Sequence, residues 1–248
     1  KRLSLSDAVT RDLLVEMTNQ SICDMTPDAA ESSGDWAFNI VFNGHQEDKY
    51  IRMGAVCIML NTCIPSKIRA TRLKEQIVHL FRGGDDILES DMHLYEDLTV
   101  RYIMGVETTE EIKSLVSELM EFLVEFVQPR LELGGINSCD LLESSRGRLL
   151  VNIFTSLFQR TSLERQLLAS FFCYEAYDLF KGLCGLVVSP MSANNREVLV
   201  RCLISQLLNV ANMSHVSNKT DTISKYIECS WSCCMDMLKI SGSTHLDK

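Results

Sequence analysis

Apolar residues recur along this chain at three- and four-residue spacing, in blocks of about fifteen to twenty positions, which is the signature of amphipathic helices. From Glu47 to about Cys63 the series is Tyr50, Ile51, Ala55, Ile58 and Met59, and it stops before Pro65. Ser66 stands where an N-cap would open a helix from Lys67 to Phe81, with Ile68, Leu73, Ile77, Val78 and Phe81 facing inward and Gly83-Gly84 ending it. Ser90 is placed to cap a helix to about Met104. Thr108-Thr-Glu-Glu111 then has capping-box spacing ahead of a helix to Val127, whose face carries Leu115, Leu119, Phe122, Leu123 and Phe126.

The second half repeats this grammar. Ser145 to Gln159 is apolar at Leu149, Leu150, Ile153, Phe154, Leu157 and Phe158. Thr161-Ser-Leu-Glu164 reads as a second capping box, opening a helix to about Lys181 that Gly182 ends. Ser192 caps a helix through Val210, and the last helix spans about Asp221 to Ile240. Trp36, Phe38, Ile40 and Phe42 alternate as a strand would, but a lone strand has nothing to pair with, so a short aromatic helix is expected there. Of the four prolines, those at 65, 129 and 190 are expected between helices, and Pro27 in a first turn.

The fold class expected is all-α. Taken in pairs, the helices start near residues 47, 91, 145 and 193, with offsets of about 44, 54 and 48 residues. That spacing resembles HEAT- and armadillo-type α-helical repeat proteins. The resemblance rests on matching lengths over about residues 46–240, without a repeated consensus residue. It implies a right-handed α-solenoid-like stack of about four helical hairpins, regular or irregular, over 46–248, preceded by a helical or irregular N-terminal segment over 1–45. A looser likeness, around Arg148–Phe158 and Arg196–Leu208, is to the helical layers of PCI-type scaffold subunits, without the winged-helix module that follows in those.

The composition, 46% apolar and 23% charged, fits a globular chain. The net charge of −9 disfavours direct nucleic-acid contact, which draws on clustered Lys and Arg. No stretch approaches the roughly 20 apolar residues that span a bilayer. Ten cysteines, mostly within apolar helical stretches, are expected as reduced core thiols, hence an intracellular protein of cytoplasm or nucleus. The opening Lys1-Arg-Leu-Ser4 has neither a signal-peptide pattern nor an initiator Met, so a piece of a longer protein is expected.

Chemistry is sparse in the pattern. Phosphate-binding loops, dinucleotide-type glycine patterns, zinc-protease pairs of histidines and nucleophile elbows are all missing from the sequence. Cys229 and Cys233, one turn apart, with Cys234 beside them and His215 nearby, could supply metal ligands, but a buried helix seam fits their surroundings better. Asp85, Asp86, Glu89 and Asp91, with Glu96 and Asp97 beyond, lack the spacing of a calcium loop. They read as a solvated loop, or as an acidic landing strip for a basic partner. The basic run Lys67-Ile-Arg-Ala-Thr-Arg-Leu-Lys74 spreads its charges around a helix, as a solvated face does.

Two helices are apolar on more than one side: that of Phe171, Phe172, Tyr174, Tyr177 and Phe180, and that of Tyr226, Trp231, Met235, Met237 and Leu238. Such helices are central in a stack or expose a patch for a partner. The expected function is a non-catalytic protein–protein interaction scaffold or adaptor subunit that needs no cofactor and no metal, with homo-oligomerisation open to it. The partner-binding candidates are Phe171, Tyr174, Tyr177, Tyr226 and Trp231, with Asp85, Asp86 and Glu89. The opposing classes are an enzyme fragment or metal-dependent hydrolase built on the Asp85–Asp91 acids, and a nucleic-acid-binding helical protein.

Overall fold

A computed structural model describes residues 26–44, 47–63, 67–82, 87–107, 109–132, 140–189, 191–213 and 220–243. Among these residues every regular element is helical, and no strand occurs. The chain divides into two compact units, Lys1–His79 with His93–Val106, and Leu80–Met92 with Glu107–Lys248.

The first unit holds α1 (Pro27–Asn43), α2 (Lys49–Cys63), most of α3 (Lys67–Arg82) and most of α4 (Met92–Gly105). The aromatic stretch 36–42 is helical, as expected. Thr26 caps α1, its Oγ1 accepting from the Ala29 amide at 3.4 Å, and Pro27 occupies the first turn, where a missing N–H costs least. Ala37, Phe38 and Val41 form the buried stripe of α1. Gly34 allows α1 to approach α2 closely, because a Cβ there would stand 2.8 Å from Thr62 Oγ1.

Polar side chains brace this unit. Arg52, only 5% exposed, donates through Nη2 to the Val41 carbonyl at 3.1 Å, in the last turn of α1, where carbonyls lack intrahelical partners. The basic run of α3 is engaged rather than simply solvated. Arg69 pairs with Glu31 at 3.3 Å, and Arg72 pairs with Asp35 at 3.2 Å while its guanidinium lies 4.0 Å from the centre of the Phe38 ring. Tyr102 on α4 donates to the Ala70 carbonyl of α3 at 3.0 Å.

The second unit holds α5 (Glu110–Glu132), the helical turn α6 (Asp140–Glu143), α7 (Ser145–Glu164), α8 (Gln166–Glu175), α9 (Tyr177–Val187), α10 (Ala193–Met213) and α11 (Thr220–Ser243). All six apolar positions expected to face inward on α7, from Leu149 to Phe158, are buried. Phe172 meets Phe154 and Phe158 edge to face at the centre, with Phe158 and Phe172 centroids 5.1 Å apart. The most extensive pairing joins α7 to α10; α9 lies against α5, α10 and α11.

Several expectations need correction. Ile68, Tyr50 and Ile51 face outward, at 83%, 44% and 45% exposure. α5 continues through Pro129 to Glu132. Thr109 Oγ1 accepts in its first turn from the Ile112 amide at 3.4 Å, while Thr108, the cap expected there, lies outside the described residues. Ser90 donates to Asp91 in a 3-10 turn, Glu89–Asp91, instead of capping α4. Ser192 does cap α10, accepting from the Asn195 amide at 3.2 Å. The Thr161 capping box is absent as such, because α7 runs through it to Glu164 and Thr161 is fully buried. The helix expected from 161 to 181 is two helices. The chain leaves helical geometry at Arg165 (φ −143°, ψ 74°) and again at Ala176 (φ −88°, ψ 8°), and α9 passes Gly182 to end at Val187.

Candidate functional site

The two helices singled out by their aromatic content both lie in the second unit, and their side chains separate into a buried group and an exposed one. On α8, Phe172 is fully buried, whereas Phe171 and Tyr174 are half-buried. Tyr177, at the start of α9, is half-buried and meets the Tyr226 ring edge-on at 5.2 Å.

Tyr226 is no surface residue. It has no exposed area, and its hydroxyl accepts from Gln206 Nε2 at 3.0 Å and lies 3.5 Å from the Phe172 carbonyl oxygen, to which it donates. Gln206 also donates to the Phe172 carbonyl at 3.0 Å. Asn209, one turn further along α10, donates to the Ala169 carbonyl at 3.4 Å and to Gln206 Oε1 at 3.2 Å. These bonds tie α10 to the carbonyls of α8, beside the point where α8 breaks from α9. Burial holds the Tyr226 hydroxyl well above the usual phenol range. Tyr226 is therefore corrected from a partner-binding candidate to a core anchor.

Trp231 is the opposite case. Five residues along the same helix, about 140° around it, it is 69% exposed. Ile227, Met235 and Leu238 share its side of α11, at 60%, 40% and 65% exposure. The opposite edge of α11 turns Tyr226, Cys229, Ser230 and Cys233 inward. Thus α11 is apolar on two faces because one packs on α9 and α10 and the other faces out. Ile204 and Leu208, one turn apart on α10, and Leu167 on α8 are further outward apolar residues, at 51%, 58% and 73%.

The thiols cluster as a seam. Cys233 on α11 lies 3.6 Å from the Cys184 carbonyl of α9, and Cys184 neighbours both Cys229 and Cys233. Burial first, then the proximity of those two thiols, pushes Cys184 far up; burial alone takes Cys173 to about 11 and outweighs a Thr155 hydrogen bond to take Cys202 to about 12. Such thiols stay protonated at neutral pH and are poor nucleophiles. Cys57, Cys173, Cys184, Cys202, Cys229, Cys233 and Cys234 are free thiols, and among the described residues no group of three His, Cys, Asp or Glu side chains is arranged to hold a metal ion. His215 lies outside the described residues.

Asp85 and Asp86 also lie outside the described residues. Glu89 is paired with Arg148 of α7 at 3.0 Å, while Asp91 is 2% exposed and accepts from Ser90 Oγ at 3.2 Å. Asp97 pairs with Arg101 at 3.3 Å. The described acids are thus engaged locally, and Glu89 and Asp91 do not face one another across a common site.

Among the described residues no helix is long and apolar enough to cross a membrane. Compared with known proteins, the chain matches no family model, no curated protein and no solved structure.

Proposed function

We propose that this chain is a non-catalytic protein–protein interaction scaffold, an adaptor subunit of a larger intracellular complex, which binds a partner protein through outward helix faces. The observation that carries this reading is the apolar stripe of α11, with Trp231 at its centre and 69% exposed. Leaving a tryptophan, an isoleucine and a leucine side by side in water is unfavourable by about 25 cal/mol per Å² of apolar area, and contiguous patches of this kind mark interaction sites. Tryptophan is also over-represented among residues that dominate binding energy. The hairpin remains the structural unit of this reading, arranged as an irregular solenoid-like stack. The helix-pair spacing in the sequence is what supports such a stack.

The test is site-specific photo-crosslinking in cells with the full-length protein, using a photoreactive amino acid at position 231 and mass spectrometry of the adducts. A discrete protein adduct at 231, lost in Leu238→Asp and absent when the probe sits at Glu121 of α5, is expected. Equal, diffuse labelling from both positions would refute the interaction reading.

A further inference from the structure

The stripe on α11 has an internal order that specifies its own counterpart. Ile227, Trp231, Cys234 and Leu238 follow one another at intervals of four, three and four residues, the spacing of a coiled-coil seam. All four are solvent-exposed, and Met235 flanks them. Glu228 and Lys239 lie on the exposed flank of the same stripe, where Lys239 pairs with the neighbouring Asp236 at 2.7 Å.

We infer that the occupant of this face is a second copy of the same chain, its α11 running antiparallel. In that register Ile227 of one copy meets Leu238 of the other, and Trp231 meets Cys234, so a large side chain faces a small one in each central layer. The same register places Glu228 and Lys239 of the second copy on the same flank, about two residues apart along the axis, or roughly 3 Å at 1.5 Å rise per residue. The two-fold axis repeats that complementary pair. A parallel arrangement would instead stack Trp231 on Trp231 and place Glu228 and Lys239 of the two copies on opposite flanks of the seam, out of reach of one another.

Area agrees with a weak but specific dimer. With about 150–250 Å² for side chains of this size, the fractional exposures leave on the order of 400 Å² of apolar surface per copy. Two copies with their polar rim reach the roughly 1,000 Å² at which specific interfaces begin. The inference rests on the scaffold reading of the same face and names its partner.

Sedimentation equilibrium of the purified chain in reducing buffer tests it, between about 1 and 200 µM. A monomer–dimer equilibrium with Kd of roughly 1–100 µM is expected. Trp231→Asp is expected to raise that Kd at least about tenfold without altering the helical circular dichroism, since the residue is outward. Glu228→Lys and Lys239→Glu each weaken the dimer by roughly three- to tenfold, and an equimolar mixture of the two variants regains it, because both cross-pairs are then complementary. A monomer throughout the range, or single charge variants that dimerise as well as the parent, overturns the antiparallel self-pairing. If the chain is monomeric but position 231 crosslinks a different protein in cells, the self-pairing fails and the scaffold reading survives. If neither partner is found, both fail.

Discussion

Tyr226 and Trp231 offer a direct test of which face of α11 is inside. Tyr226→Phe keeps the ring but removes the oxygen that accepts from Gln206 Nε2 at 3.0 Å. The Gln206 amide retains its bond to the Phe172 carbonyl, so one buried N–H loses its partner. Leaving a buried donor unsatisfied costs about 1–3 kcal/mol. Tyr226→Ala additionally empties the space between the Tyr177 and Phe180 rings, 5.2 and 4.8 Å away, and such aromatic deletions cost about 3–5 kcal/mol. Trp231→Ala, on the outward face, should fall within about 0.5 kcal/mol of the parent. For a chain of this length each kcal/mol moves the melting temperature by about 2–4 °C. The expected shifts are therefore about 2–12 °C for Tyr226→Phe, about 6–20 °C for Tyr226→Ala, and under about 2 °C for Trp231→Ala. Thermal melts followed by circular dichroism should be run at about 1 µM, where mass action from self-association is smallest. A Trp231→Ala cost equal to that of Tyr226→Ala would show that both aromatics are buried, and the outward stripe would then not exist.

Two glycines predict opposite signs for the same change. Gly54→Ala should stabilise by roughly 0.5–1 kcal/mol, because its Cβ meets nothing within 4 Å and helices favour alanine. Gly34→Ala should destabilise by about 1–3 kcal/mol from the overlap with Thr62 Oγ1; urea midpoints in the Ala, parent and Ala order would check both. Stability should also fall at alkaline pH. The unfolded chain releases the Cys173 and Cys202 protons near 9.0, whereas the folded chain holds them to about 11 and 12. Their contribution is complete below pH 9 and lost as pH rises above it, by up to about 1.4 kcal/mol per pH unit per thiol. Comparing urea midpoints at pH 8 and 10.5 under reductant, with Cys173→Ala and Cys202→Ala as controls, reads this; an alanine pair with an unchanged slope would refute it. Finally, maleimide at pH 7.5 should label exposed Cys234 long before Cys57, Cys173, Cys184 and Cys202, which are buried. Peptide mapping that found Cys184 or Cys202 labelled first would contradict their burial.

Periodicity alone located most helices, because residues such as Leu149, Ile153, Phe154, Leu157 and Phe158 sit on one unbroken face, and all of them are buried. It erred where local pattern and tertiary demand diverge. Thr161-Ser-Leu-Glu164 has the residue types of a capping box, yet the oily face of α7 continues past Phe158 and keeps Thr161 in the core. The break falls instead at Arg165 and Ala176, and what supports it lies forty residues away, in the Gln206 and Asn209 amides that reach the α8 carbonyls. No local motif encodes such donors, since Gln and Asn inside a helix pattern read as solvent-facing. Arg52 misleads in the same way, buried on the Val41 carbonyl where a charged residue ordinarily signals an outer face.

The exposed stripe poses a subtler difficulty. Tyr226 and Trp231, five residues apart, cannot share a face, so the sequence already required one of them to point away from the other. Choosing between them needed the rest of α10. Tyrosine carries a hydroxyl that tolerates burial only beside a partner, and Gln206 supplies one, whereas the Trp231 ring stays 69% exposed. The inward face of α11 was thus selected by a polar match, and the outward face is what that selection left over. That outward face carries the four-three-four order of Ile227, Trp231, Cys234 and Leu238, all of them exposed, and the proposed self-pairing stands or falls on that order.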